Sequence, residues 1–356
     1  MNILFIVPYP VGAAGSQRFR FEQYFKLLEK NGHRYKVASF LDAQTWIILY
    51  LSGHLFRKMS SLFSGYCKRF FLLFQLGKYD AVFIHREAAP FGPPVFEWFI
   101  TKVFKKYTVY DFDDAIWLSN ASETNNKLTR TFKRFKNIND ICKWASVVSA
   151  GNSFLADFAK KYNPNVVINP TTIDTDDHHN QTTDHSNPKM VIGWTGSHST
   201  LQYLDLIFPV LQMLEEKFDF EFHVICDTSP KFKLRSMIFK KWSKESEIED
   251  LLDFNIGIMP LPDDIWTKGK CGFKALQYMS LGIPAVVSDV GVNATIVDDG
   301  INGCVCRTEA DWYNALSRLM TDPGYLKQLS EKTRDKIVQH YSVKSNEQNF
   351  LSLLER

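Results

Sequence analysis

The chain has 356 residues, enough for two domains of ordinary size. With 45% hydrophobic and 23% charged residues it is neither disordered nor of low complexity. A formal net charge of +3 gives no electrostatic case for nucleic acid.

Asn2 to Pro8 reads as a buried, parallel-type strand. It starts at once, without a basic n-region, so a signal peptide is not expected. Pro10 to Gly15 is a glycine loop, and Ser16 is placed to cap a helix running to about Asn31, where Gly32 stops it. Tyr35 to Phe40 is a second strand. This β-α-β start puts the loop at the carboxyl end of the first strand, where open α/β sheets take ligands. The glycines do not spell GxGxxG, so a nicotinamide cofactor is not indicated. Arg18 and Arg20 fall in the first turns of the helix, where they either meet an anionic acceptor or are solvated.

Residues 43 to 78 contain no Asp or Glu. Trp46, Ile47, Ile48, Tyr50, Leu55, Phe56, Phe63, Phe70, Phe71 and Phe74 interleave there with Arg57, Lys58, Lys68 and Arg69. An aromatic, basic, acid-free helical stretch suits a membrane interface with anionic lipid. The alternative is a pair of core helices with snorkelling bases. No run anywhere reaches the ~18 apolar residues that a membrane span needs.

Asp80 to His85 is a buried strand with His85-Arg86-Glu87 at its carboxyl end, and Tyr107 to Asp114 is the next. Alternation puts Asp111 and Asp113 on one face near the sheet edge. Asp111-Phe112-Asp113 also spells the three-residue DxD pattern, which is weak alone as a metal site. The acidic cluster reads either as an active-site group or as ion pairing with Arg86. Val147 to Ala150 is a short strand, and Ser153 is placed to cap a helix to Lys161. Asp174 to Asn187 is rich in Asp, His, Thr and Asn and reads as a solvated linker, with His178, His179 and His185 not taken as metal ligands.

Met190 to Trp194 opens a second sheet. Thr195 to Thr200, with Gly196 and Ser197, is a phosphate-friendly loop before a helix at Leu201. Phe220 to Cys226 and Phe254 to Met259 are further strands. Asp263 and Asp264 come just before a lysine loop, Gly269-Lys270-Cys271-Gly272. A short helix is predicted from about Phe273 to Leu281, closed by Gly282 and Pro284, and Ile283 to Ser288 is a buried strand. Lys270, Lys274 and Gln277, at i, i+4 and i+7, are placed on one face at the start of this helix. Glycine loop, helix N-terminus and two lysines make a site for a diphosphate. The plainer alternative is a solvated polar face. Asn293 lies in the next strand-end loop. Ala310 to Met320 and Gly324 to Tyr341 are amphipathic helices. The six cysteines show no CxxC pair and are expected to be reduced.

The Trp266–Asn293 stretch resembles the nucleotide-sugar-binding helix of GT-B glycosyltransferases, in particular family 4, the group 1 retaining enzymes. Gly282-Ile283-Pro284-Ala285-Val286-Val287 matches the Gly-x-Pro-x-Val end of that segment. Most members carry two glutamates eight positions apart; here Gly269 and Gln277 occupy those places. The chain therefore looks like a variant branch in which lysines carry more of the donor contact. The resemblance implies an α/β GT-B fold, two Rossmann-like domains facing across a central cleft. The domains are expected at 1–170 on the acceptor side and 188–335 on the nucleotide-sugar side. A polar linker over 171–187 joins them, and a final helix, 336–356, crosses back.

The resemblance also implies site roles. Lys270, Lys274, Gln277, Gly196, Ser197, Asp263 and Asn293 are the donor-side candidates, with Gln277 on the ribose. Gly15, Arg18, Arg86 and Glu87 are acceptor-side candidates. The family's sugar-contacting histidine falls near Asp113, so Asp113, Asp111 and His85 are the catalytic candidates. The implied activity moves a sugar from a nucleoside-diphosphate donor to a glycan or polyprenyl-linked acceptor, with retention and with no metal or cofactor. Such a chain is expected in the cytoplasm, at the inner face of the plasma membrane if 43–78 meets lipid. Two other readings stay open: a catalytically inactive sugar-nucleotide-binding or scaffolding paralogue, and a nucleotide-sugar 2-epimerase.

Overall fold

The computed structural model describes all residues except Tyr50, Ser52, 119–136, Ser186, Pro188 and Arg356. The chain forms two compact units, Met1–Thr171 with Asn346–Arg356, and Thr172–Ser345. Each is built on a six-stranded sheet in which every pairing is parallel.

The first sheet contains β1 (Asn2–Val7), β2 (Arg34–Ser39), β3 (Ala81–His85), β4 (Tyr107–Phe112), β5 (Val147–Ala150) and β6 (Val166–Ile168), in the order β2-β1-β3-β4-β5-β6. Ile3 to Val7 are all buried, as a strand covered on both faces requires. Part of the high phenylalanine content is used here: Phe5 meets Phe21 at 5.3 Å and Phe83 at 5.0 Å between ring centroids. The terminal helix Glu347–Ser352 joins this core by stacking Phe350 on Tyr24 at 4.1 Å.

The predicted helix from Ser16 to Asn31 is broken. It becomes a helix at Gly15–Arg18, a 3-10 turn at Glu22–Tyr24 and a helix at Phe25–Lys30. Side chains near the break turn back onto the glycine loop. Gln17 Nε2 donates to Tyr9 O at 3.1 Å and to Glu22 Oε1 at 3.0 Å, and Glu22 Oε2 accepts from Gly12 N at 2.8 Å. The cap of the helix Ser153–Ala159 is Asn152, which accepts from Leu155 N, so the cap lies one residue before the predicted Ser153.

The second sheet contains β7 (Met190–Gly196), β8 (Phe220–Cys226), β9 (Met237–Lys241), β10 (Ile256–Met259), β11 (Ala285–Ser288) and β12 (Gly303–Cys306), in the order β12-β11-β10-β7-β8-β9. The chain builds outward from β7 to β9, returns, and builds the other way from β10. The topological switch point lies between β7 and β10, where a doubly wound sheet opens a crevice at its carboxyl edge. Strand β9 has no clear sequence signal: it is an edge strand, largely exposed, ending in two lysines.

The polar stretch 174–187 is exposed at most of its described residues, as a solvated linker would be, but it is anchored at Thr175 and His179. His179 is buried, and Arg334 donates to His179 O at 2.8 Å and to Thr175 O at 2.9 Å. Composition shows the polarity of such a stretch but not the arginine, 155 residues away, that gathers its carbonyls. All six cysteines are free; Cys304 and Cys306 join the core of the second unit.

Candidate functional site at the two sheet edges

In the second unit the site grows from one glycine. Gly257 in β10 leaves room for the ring of Tyr278, since a Cβ there would fall 2.3 Å from it. Tyr278 is carried by the helix Phe273–Ser280. Its hydroxyl accepts from Thr195 N in β7 at 3.0 Å and reaches Ile258 O in β10 at 3.4 Å. Burial pushes this phenol well above its usual range, so it stays neutral and works as a hydrogen-bonding bolt. One side chain thus fixes the helix to both strands of the switch point.

The helix N-terminus is set by Gly272, which holds a left-handed conformation (φ 69°); a Cβ there would fall 2.1 Å from Ile296. Beside it, Lys274 Nζ lies 5.5 Å from the centre of the Trp194 ring, and Lys270 Nζ lies 5.3 Å from that of Trp266. An indole face attracts an ammonium group electrostatically. At the end of β7, Gly196 and Ser197 lead into the helix His198–Leu201. Asp227, at the end of β8, ties this loop down by accepting from His198 N at 2.7 Å and pairing with His198 Nδ1 at 2.8 Å. Burial pushes the Asp227 carboxyl up, but the His198 bonds outweigh it and hold it below its usual value.

Three further donor-side candidates have partners within the unit. Gln277 lies three residues beyond Lys274 on the helix Phe273–Ser280. It is 2% exposed and directs Nε2 toward Glu247 Oε1 at 3.5 Å. Lys270 precedes the helix in an extended conformation, so it is Lys270 that leaves the predicted helical register. Asp263 pairs with Lys268 at 3.0 Å. Asn293 is buried and donates to Ser288 O at 3.1 Å, closing the end of β11.

In the first unit the carboxyl edge carries two separate ion networks. His85, Asp111 and Ser149 are register partners across β3, β4 and β5, so their side chains line up on one face. Asp111 Oδ2 meets His85 Nδ1 at 2.7 Å, and Oδ1 accepts from Ser149 Oγ at 2.6 Å and from Arg20. Arg20 also reaches Asn169 O. Arg20 is 1% exposed, so it is neither solvated nor poised for an acceptor; it is the buried counter-ion of Asp111. Burial alone would raise the Asp111 carboxyl, but Arg20 and His85 overcome it and hold it well below the usual carboxylate range. Asp111 and His85 are both buried, and substrate contact at either would require this network to open.

Asp113 is not the face-mate of Asp111, because β4 ends at Phe112 and alternation ends with it. It pairs instead with Arg86, whose Nε and Nη2 reach Asp113 Oδ1 at 2.9 and 2.7 Å; Nη2 also reaches Asp114 at 3.0 Å. The two carboxylates of the DxD pattern thus belong to different cations. Arg86 has a left-handed backbone (φ 60°), held by Arg86 N donating to Asp111 O at 2.8 Å and Tyr110 Oη donating to Arg86 O at 2.7 Å. Burial pushes the Tyr9 phenol up against the opposing pull of the nearby Arg86. Glu87 is half-buried, Gly15 is exposed, and Arg18 lies over the Phe19 ring at 4.9 Å.

Residues 189–322, within the second unit, match the family described as glycosyl transferases group 1. No curated protein sequence matches the chain. Among solved structures, the chain is similar to sucrose-phosphate synthase from Thermosynechococcus elongatus (TM-score 0.71, 11% identity, covering 99% of this chain and 98% of that one). It is also similar to a glycosyltransferase from Rickettsia africae (0.69, 14%, 100% and 99%). A third likeness is to Anabaena HepE in complex with UDP-glucose (0.63, 13%, 99% and 99%). Residues 189–322 are therefore similar to group 1 glycosyl transferases over less than half of the chain, and the structural likenesses show the GT-B fold.

Proposed function

We propose that this chain, a GT-B glycosyltransferase with its group 1 domain in the second unit, moves a hexose-type sugar from a nucleoside diphosphate to a hydroxyl of a glycan or polyprenyl-linked acceptor. The observation that carries this reading is the assembly at the β7/β10 switch point. There a helix N-terminus, two lysines over indole rings and the Gly196–Ser197 loop all lie within the segment matched to the family. One of the similar structures holds UDP-glucose, so UDP is the first nucleotide to test.

In the proposed reaction the bond from the anomeric carbon to the diphosphate oxygen breaks, and the acceptor oxygen bonds to that carbon. Negative charge grows on the diphosphate. Lys270, Lys274 and the amides at the start of the helix Phe273–Ser280 stabilise it. Gln277, the ribose candidate, is 2% exposed, and a ribose contact there would require its neighbours to open. Asp113, 13% exposed and oriented by Arg86, takes the acceptor-side proton. Asp111, His85 and Arg20 fix the strand ends of the same sheet edge. Retention, metal independence, a cytoplasmic setting and a role in cell-surface glycan synthesis belong to the same reading and rest on the family resemblance.

The test is release of nucleoside diphosphate from purified chain incubated with labelled UDP-, GDP-, TDP- and ADP-sugars, with and without polyprenyl-phosphate or oligosaccharide acceptors. The reading expects one nucleotide to give acceptor-stimulated release, and the anomeric configuration of the product reports retention. No release with any of the four, alongside normal folding, would favour the inactive paralogue. Conversion of the sugar without an acceptor would favour the epimerase.

A further inference from the structure

The helix Leu55–Leu73 turns most of its large apolar side chains outward. Its buried residues are Ser61, Gly65, Arg69, Leu72 and Leu73. Gly65 lies so close to Phe40 that a Cβ would fall 2.6 Å from the ring. Arg69 is spent on backbone carbonyls, donating to Ala88 O at 2.7 Å and to Ala38 O and Val7 O at 2.9 Å each. Burial pulls its guanidinium down to about 10, still charged at neutral pH. The outward face carries Phe56, Met59, Phe63, Phe70, Phe71 and Phe74. Phe56 is 88% exposed, and Phe63 and Phe74 are each 73% exposed. Steps of three and four residues put these side chains on one stripe that runs the length of the helix, ~28 Å at 1.5 Å per residue. A helix that folds Arg69 inward and its phenylalanines outward is built for contact with something apolar.

We propose that this face docks on a lipid bilayer bearing anionic headgroups. Charge selects the occupant. The helix and its flanks contain no carboxylate from Ala43 to Lys78, while Arg57, Lys68 and Lys78 are exposed. Arg57 and Lys68 lie roughly 100° around the helix from the phenylalanine stripe. When the rings enter the acyl region, these two cations reach headgroup level on the flank. A second copy of the chain would bring two acid-free, positive faces together, which like charge opposes. The inference rests on the first unit alone and stands whether or not the transfer reading holds.

The test is flotation of the full chain with vesicles of phosphatidylcholine alone or with about one-third phosphatidylglycerol. Binding is expected to the anionic vesicles, weakening at high salt. Phe63→Ser and Phe70→Ser should each lower binding about tenfold, and Arg57→Gln with Lys68→Gln several-fold, with melting temperatures preserved. No binding to anionic vesicles overturns the inference. So does equal binding by the Phe63→Ser and Phe70→Ser variants, or self-association of the wild type in solution that the same substitutions abolish.

Discussion

The carboxyl edges of the two sheets hold their cations differently. In the first unit Arg20 neutralises Asp111, and Arg86 binds Asp113 and Asp114. In the second unit Lys270 and Lys274 rest on indole rings, and the strand ends are joined by a neutral phenol. An edge of closed ion pairs holds a shape. An edge with lysines over aromatic faces beside a helix N-terminus suits an anionic ligand.

The largest effect should come from breaking the first edge. Arg20→Leu leaves Asp111 buried without its cation and should cost about 3–5 kcal/mol in urea denaturation. A loss below about 1 kcal/mol would mean that the pair is not what fixes the edge. The same network sets an acid limit. Asp111 has a depressed folded value, so its contribution is fully present above the unfolded carboxylate value of about 3.9 and is lost as pH falls below it toward the folded one. Stability in the wild type should decline through that window, and Asp111→Asn should flatten the decline.

Asp113→Asn sharpens the contrast between the two networks in one sheet. Its ion pair with Arg86 is partly exposed, so stability should change by no more than about 1 kcal/mol. Transfer should fall about a hundredfold or more if Asp113 takes the acceptor proton. Unchanged transfer would remove it from the proposed chemistry.

On the second edge, Gly257→Ala pushes a methyl group into the Tyr278 ring and should cost about 1–3 kcal/mol, with loss of the nucleotide response as the helix shifts. Tyr278→Phe is milder. It deletes the acceptor for Thr195 N and should cost about 1–2 kcal/mol by thermal denaturation, with weaker nucleotide binding. If binding is untouched, the bolt has no part in the site.

These contrasts also explain what could be read from the sequence. The strands β1, β5, β7 and β8 were legible because apolar runs bounded by turn residues have few other outcomes. The Gly272 loop, the helix after it and its glycine stop follow from local chemistry, and Gly282 does take the left-handed conformation (φ 77°). Long-range partners were not legible. Arg20 and Asp111 are 91 residues apart, and Thr195 and Tyr278 are 83 apart. The helical register predicted from Lys270 through Gln277 holds only from Lys274 on, because the helix begins only at Phe273. The absence of carboxylates from 43 to 78 was plain, but only the fold shows that the phenylalanines of Leu55–Leu73 face outward.

The most direct test of the central claim is thermal-shift titration of the chain with UDP, GDP, TDP and ADP, run beside Lys270→Ala and Lys274→Ala. A nucleotide at 100 times its dissociation constant adds about 2.7 kcal/mol to folding stability. The account predicts that one nucleotide raises the melting temperature of the wild type and that both lysine variants lose most of that rise. If all four leave the wild type unchanged, or if the variants respond as the wild type does, the second sheet edge is not the diphosphate site.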